Sequence, residues 1–110
     1  MSWSIEYYSP KLEKEILKLP VSLLARYFHL TDLMLEFGSN LGMPHTKAID
    51  DGLFELRVKG KEGIARALYF TRVEKRIVML QVFIKKTQKT PKKELKLAIQ
   101  RMKEVLNDEP

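Results

Sequence analysis

Apolar and polar residues alternate along this chain with two different periods, and the periods mark out its elements. Ser4-Ile5-Glu6-Tyr7-Tyr8 alternates over a short stretch and predicts a first strand. Ser9-Pro10 follows, a helix N-cap with proline at the first helical position. Leu12, Ile16 and Leu17 give a short amphipathic helix, which Pro20 interrupts. A second helix is read from Leu23/Leu24, Tyr27/Phe28, Leu30/Thr31 and Met34/Leu35, and Gly38 ends it. The stretch from Gly38 to Gly52 contains Gly42, Pro44 and Asp51-Gly52 and reads as a loop.

Between Gly52 and Gln88 the period changes to two. Three runs, Leu53–Lys59, Ile64–Thr71 and Ile77–Lys86, are rich in β-branched and aromatic residues and are separated by turn-like segments. Thr90-Pro91 then predicts the cap of a last helix, with Leu95, Ala98/Ile99, Met102 and Val105/Leu106 on one stripe. The expected order is β-α-α-β-β-β-α. This is an α+β fold in a single domain over residues 1–110, a small antiparallel sheet with its helices packed on one face.

The spacing of the three runs also sets a register. A hairpin across Gly60-Lys61-Glu62-Gly63 puts Lys59 opposite Ile64 and Arg57 opposite Arg66. A turn at Glu74-Lys75 puts Arg66 opposite Phe83 and Ile64 opposite Lys85. Side chains alternate faces along a strand. One face therefore carries Arg57, Lys59, Arg66, Phe83 and Lys85, and continues as apolar Leu53, Phe70 and Met79. The other is apolar in every row: Phe54/Tyr69/Leu80, Leu56/Ala67/Val82 and Val58/Ala65/Ile84. Like charges directly opposite one another destabilise a sheet. An Arg57–Arg66 pair therefore points to a bound anion. An odd-length turn or a bulge would break this register.

The composition limits the possible functions. A chain of 110 residues builds one core. No apolar run approaches the ~18 residues of a membrane span, and the N-terminal residues lack the pattern of a signal peptide. With no cysteine, disulfides, thiolate metal sites and cysteine nucleophiles drop out. A cytoplasmic location and no membrane partner are the expectation. The net charge of +6 favours a polyanionic partner. The cations are concentrated: Lys85, Lys86, Lys89, Lys92, Lys93 and Lys96 face a single acid, Glu94, in that window. A solvated helix start is the plain alternative for such a run.

The cluster Arg57, Lys59, Arg66, Lys85 and Lys86 suits a phosphodiester. A planar guanidinium bonds two phosphate oxygens at once. Cleavage of RNA by its own 2′-hydroxyl needs a base for that hydroxyl, a cation for the phosphorane and an acid for the leaving 5′-oxygen. A lysine crowded by arginines is a candidate base, because neighbouring positive charge disfavours its protonated form. Phe83 beside Arg66 offers a face on which a base stacks. The competing reading is an ordinary sheet face whose arginines pair with Glu55 or Glu62. The histidines, His29 and His45, are too few and too far apart for a metal centre, although His45 can reach a site from its loop. Neither a phosphate-cradling glycine motif nor a complete nucleophilic triad is present, and no cofactor is expected.

The segments Gly52-Leu-Phe-Glu-Leu-Arg57-Val-Lys-Gly60, Ala65-Arg66-Ala-Leu-Tyr-Phe70 and Phe83-Ile-Lys85-Lys86-Thr-Gln-Lys-Thr-Pro91 closely resemble the HigB-like branch of the RelE/ParE toxin superfamily. The likeness extends over nearly the whole chain. It implies a RelE-like α+β domain and a type II toxin. That toxin would be a ribosome-dependent, metal-independent mRNA endoribonuclease acting through the 2′-hydroxyl. The implied partners are a cognate antitoxin of helix-turn-helix type, the ribosome with its mRNA, and operator DNA only through the antitoxin complex. The resemblance assigns Arg57, Arg66, Lys85 and Lys86 as catalytic, and Lys59, Phe83, Lys47 and Gln88 as RNA contacts. No tyrosine follows Tyr69 and position 81 is glutamine, so the general base stays open. A ParE-like inhibitor of DNA gyrase has the same fold and is the alternative.

Overall fold

Residues 2–50, 52–85 and 89–108 are described by a computed structural model. Strand β1 (Ser4–Tyr7) leads into helices α1 (Pro10–Leu17) and α2 (Val21–Phe37). Four strands follow, β2 (Thr46–Asp50), β3 (Leu53–Gly60), β4 (Gly63–Arg72) and β5 (Arg76–Ile84), and helix α3 (Lys92–Asp108) closes the order. The five strands form one sheet in the order β1-β5-β4-β3-β2. The β1–β5 pair is parallel and the other three pairs are antiparallel. The α+β class and the small antiparallel sheet stand as expected.

One element differs from the expected order, because part of the expected loop between Gly38 and Gly52 is strand β2. Its five residues hold a single large apolar side chain, Ile49, so the alternation is faint. Its pairing with β3 makes it a strand, beginning with the Arg57 N–H donating to the His45 carbonyl at 2.8 Å.

The helices also divide between the two faces of the sheet. On one face, Leu12 and Ile16 of α1 and Leu23, Tyr27, Leu30 and Met34 of α2 pack on Leu56, Val58, Ala65, Ala67, Tyr69 and Met79. Ala98 of α3 lies instead in a second core with Leu53, Leu68, Phe70, Val78 and Leu80. That is the face expected to carry the cations. The cause is its apolar half, which has to be removed from water, and the α3 stripe of Leu95, Ile99, Met102 and Val105 covers it. The other half, around Arg57 and Arg66, lies beyond this cover.

The β3–β4 register is the expected one, with Arg57 opposite Arg66 and Lys59 opposite Ile64. Between β4 and β5 two irregularities cancel. The connection is Val73-Glu74-Lys75 between paired Arg72 and Arg76, an odd loop, with Glu74 and Lys75 at φ 66° and 59°. It shifts the pairing so that Tyr69 faces Met79 and not Leu80. A bulge then inserts Leu80 as an extra residue, and Leu68 faces Gln81. Beyond the bulge the expected pairs return, Arg66 with Phe83 and Ala67 with Val82. The Lys85 N–H continues the ladder to the Ile64 carbonyl at 2.7 Å. Arg101 of α3 binds the bulge, donating to the Leu80 carbonyl at 2.8 Å and to Gln81 Oε1 at 3.1 Å.

The site-bearing hairpin is tied to α2. Pro20 gives α2 no side-chain cap. Glu62 Oε1 accepts from the Ser22 N–H at 2.8 Å in its place. The approach is close enough that a Cβ at Gly60 would lie 2.9 Å from Leu23 Cδ2 and 3.2 Å from the Ser22 backbone carbon. Among the described residues, no helix is long and apolar enough to cross a membrane.

Candidate functional site

A cleft of about 440 Å³ opens on the uncovered half of the sheet. Its floor is Glu55 and Arg57 from β3 and Arg66 from β4, and one wall is Thr46–Ile49 of β2 with the preceding Met43-Pro44-His45. The other wall is Lys85, Lys89, Thr90 and Leu95, from the end of β5 to the first turn of α3. The β2 wall is fixed by short bonds. Thr46 Oγ1 accepts from the Gly42 N–H at 2.7 Å and donates to Asn40 Oδ1 at 3.0 Å.

Arg57 and Arg66 face each other across the ladder, yet their environments differ. Arg66 is buried, with 6% of its surface exposed, and its Nη1 lies 3.1 Å from Glu55 Oε2. The same Nη1 donates to Thr90 Oγ1 at 3.0 Å, and that hydroxyl donates to Glu55 Oε2 at 2.8 Å. Glu55, Arg66 and Thr90 thus form a closed triangle beneath the cleft. Thr90 has a different role from the expected helix cap. The helix starts at Lys92, Pro91 supplies the carbonyl for the Leu95 N–H at 3.1 Å, and Thr90 turns toward the sheet.

No carboxylate pairs with Arg57 among the described residues, and its Nε is buried without a hydrogen-bond partner there. Arg57 lines the main cleft and a smaller one of about 230 Å³, shared with Arg26, Pro44, His45 and Lys59. An unmatched guanidinium between two clefts suits an anion, because its fork is free to bond oxygens supplied from outside. Lys85 stands beside it. Its pKa is pushed below the ordinary lysine value by loss of surrounding water first, then by the charges of Arg66 and Arg57, while Glu55 opposes the shift.

The sequence-predicted residues divide accordingly. Arg57, Arg66, Lys85 and Lys47 line the main cleft, and Lys59 lines its smaller neighbour. Phe83 keeps its place opposite Arg66 but packs against the second core, away from the cleft lining. Lys86 and Gln88 lie outside the described residues. Among the described lining residues, the cleft has no Phe, Tyr or Trp. Glu55, Thr90 and His45 join the site without having been assigned to it. Glu55 was legible only as a carboxylate that could pair with the arginines, and it does pair with Arg66. His45 had its loop position, and Thr90 had none, since Thr-Pro reads as a helix start. Among the described residues, no group of three His, Asp or Glu side chains is gathered as metal ligands.

The family model described as phage derived protein Gp49-like (DUF891) matches residues 14–103, which include every residue of this cleft. The chain belongs to that family. It is a family of RelE/HigB-type toxins, associated with toxin–antitoxin systems, so membership supports a toxin role and implies an antitoxin partner. No curated protein matches the chain.

Proposed function

We propose that this Gp49-like protein is a type II toxin that cleaves mRNA on the ribosome. The observation that carries the reading is Arg57, a guanidinium without a carboxylate partner among the described residues, in a cleft beside a lysine whose pKa is depressed. In this reading the Arg57 fork holds the non-bridging oxygens of one phosphodiester. The neutral form of Lys85 accepts the proton of the 2′-hydroxyl. The 2′-oxygen attacks phosphorus, negative charge grows on the phosphorane oxygens against Arg57, and the bond to the 5′-oxygen breaks. Water entering the cleft donates a proton to that oxygen. The products are a 2′,3′-cyclic phosphate and a free 5′-hydroxyl.

Arg66 acts from below in this scheme. Its charge adds to the lost solvation in favouring the neutral form of Lys85, while Glu55 and Thr90 hold it in place. Lys86 keeps the catalytic role and Gln88 the RNA contact that the resemblance gives them, and Lys47 and Lys59 add positive field at the two edges. A cleft whose described lining offers no Phe, Tyr or Trp has little on which to stack a base. This supports the need for a ribosome to hold the codon in place.

Primer extension on a defined mRNA, with purified protein and with or without programmed ribosomes, tests the proposal. Cuts within A-site codons only in the presence of ribosomes, lost in Arg57→Ala, are the expected result. Folded protein that stops growth without cutting RNA would move the target to DNA gyrase, to be read as trapped gyrase–DNA cleavage complexes.

A further inference from the structure

The lysines of α3 sit at the wrong end of their helix for stability. Lys92, Lys93 and Lys96 occupy the first turns, where the helix dipole is positive and acids are favoured, while the last turn carries no basic residue. None of these three, nor Lys103, has an ion pair or hydrogen bond among the described residues. Glu94, the nearby acid, instead accepts from Gln81 Nε2 at 3.1 Å. Lysines at i and i+4 also repel one another. Helix stability therefore disfavours this pattern, and the apolar stripe of α3 is already covered by the sheet.

The lysines follow a continuous path. One shallow depression of about 490 Å³ is bordered by Lys92, Lys93 and Lys96, and a second of about 360 Å³ by Lys96, Lys103 and Glu104, whose carboxylate accepts from Tyr8 and Gln100. The two meet at Lys96 and Gln100. From Lys92 to Lys103 the path runs ~16 Å along the helix. Its near end adjoins Thr90 and Leu95, which line the cleft. Among the described residues, no aromatic side chain borders it.

We infer that the Lys92–Lys96–Lys103 face of α3 is a track for the phosphate backbone of a single-stranded RNA whose scissile bond lies in the cleft. This rests on the reading of the cleft as an RNA-cleaving site and names where the flanking chain runs. The lack of rings makes the contact ionic and independent of sequence. An acidic polypeptide is the competing occupant of a lysine face. The continuity with a phosphodiester cleft favours RNA.

The test measures binding of a fluorescent 12-nucleotide 2′-O-methyl RNA of mixed sequence to the full-length protein across a salt series. This RNA lacks the attacking hydroxyl, so the result does not depend on cleavage. Each lysine–phosphate contact to a single strand contributes about 0.7 to the slope of log affinity against log salt. Lys92→Gln/Lys96→Gln/Lys103→Gln is expected to lower that slope by about 2 and to weaken binding at low salt. Lys11→Gln/Lys14→Gln/Lys18→Gln on α1 and its C-cap removes the same charge and is expected to leave the slope unchanged. Lys92→Arg/Lys96→Arg/Lys103→Arg keeps the charge and is expected to keep the slope, which separates charge from fold. An unchanged slope in the α3 glutamine variant, an equal loss in the α1 variant, or binding of poly-glutamate in place of RNA would each overturn the track. Failure of the cleft reading would appear separately, as absence of ribosome-dependent cuts by the wild type.

Discussion

Arg66 and Glu55 form a buried ion pair, Nη1 to Oε2 at 3.1 Å, directly below the cleft. The pair explains how the sheet tolerates two arginines facing each other. Glu55 cancels one of them, and Arg57 is left half-buried, without a carboxylate partner among the described residues. Thr90 accepts from one partner and donates to the other, so the same contact fastens the chain leading into α3.

Removing one partner of a buried pair leaves the other uncompensated in low dielectric. Glu55→Gln is expected to destabilise the fold by about 3 kcal/mol, measured by urea unfolding. Replacing both partners with apolar residues, as in Glu55→Leu/Arg66→Met, should recover most of that loss, because neither charge is then buried. A Glu55→Gln protein as stable as the wild type would show that the pair does not contribute as its geometry implies.

Arg57→Ala tests the other half of that division. Arg57 forms no ion pair among the described residues and is pressed by Arg66, so its removal should change stability by no more than about 0.5 kcal/mol. Its loss should lower ribosome-dependent cleavage by about a hundredfold to a thousandfold, the usual cost of one donor to a developing oxyanion. Thermal unfolding and single-turnover cleavage on stalled ribosomes read the two quantities separately. A large fall in stability with modest loss of rate would make Arg57 a structural residue.

The pH dependence follows from Lys85. Its pKa lies below the ordinary lysine value, so its neutral form is more abundant at any given pH than that of a free lysine. With neutral Lys85 as base, the cleavage rate should rise tenfold per pH unit and reach a plateau above the depressed pKa, short of the normal value of 10.5. Glu55 holds the Lys85 pKa up, so Glu55→Gln should bring the plateau to lower pH, and Lys85→Arg should abolish the rise. A profile unchanged in Lys85→Arg would pass the role of base to another group.

The cationic pairs were legible in sequence for two separate reasons. Gly60 and Gly63 bracket a two-residue turn, so the β3–β4 pairing follows from spacing alone. Across β4–β5, the odd loop at Val73–Lys75 and the bulge at Leu80 offset each other, and Arg66 meets Phe83 as though neither existed. Local spacing cannot reveal such a pair of compensating shifts. It also missed β2, whose strand character comes from the β3 edge more than from its own residues. The face occupied by α3 was hidden for a related reason. The apolar run Leu53, Phe70 and Met79 reads as a continuation of a cationic face, but α3 covers Leu53 and Phe70 together with Val78, and the odd loop turns Met79 to the other core. Glu55 escaped assignment because a carboxylate among cations reads equally as a site residue or as its neutraliser.

Arg101 is the residue that holds the bulge and α3 together. It donates to the carbonyl of the extra residue Leu80, to Gln81 Oε1, and lies 4.6 Å from the Tyr8 ring centroid. Tyr8 in turn donates to Glu104 of α3, and the paired carboxylate raises the phenol pKa. A bulged residue leaves a carbonyl outside the regular ladder, and Arg101 is its donor. Arg101→Ala should therefore cost about 1–3 kcal/mol through the unsatisfied carbonyl and lost packing. The expected kinetic sign is greater solvent exposure of α3 before the rest of the fold, since α3 is held to the sheet by this residue and its apolar stripe. Hydrogen exchange should show the amides of α3 and Gln81 losing protection in the variant, while those of α2 and β3 change little. Uniform loss of protection across both faces would mean that the two cores open as one unit and that Arg101 is not the tie between them.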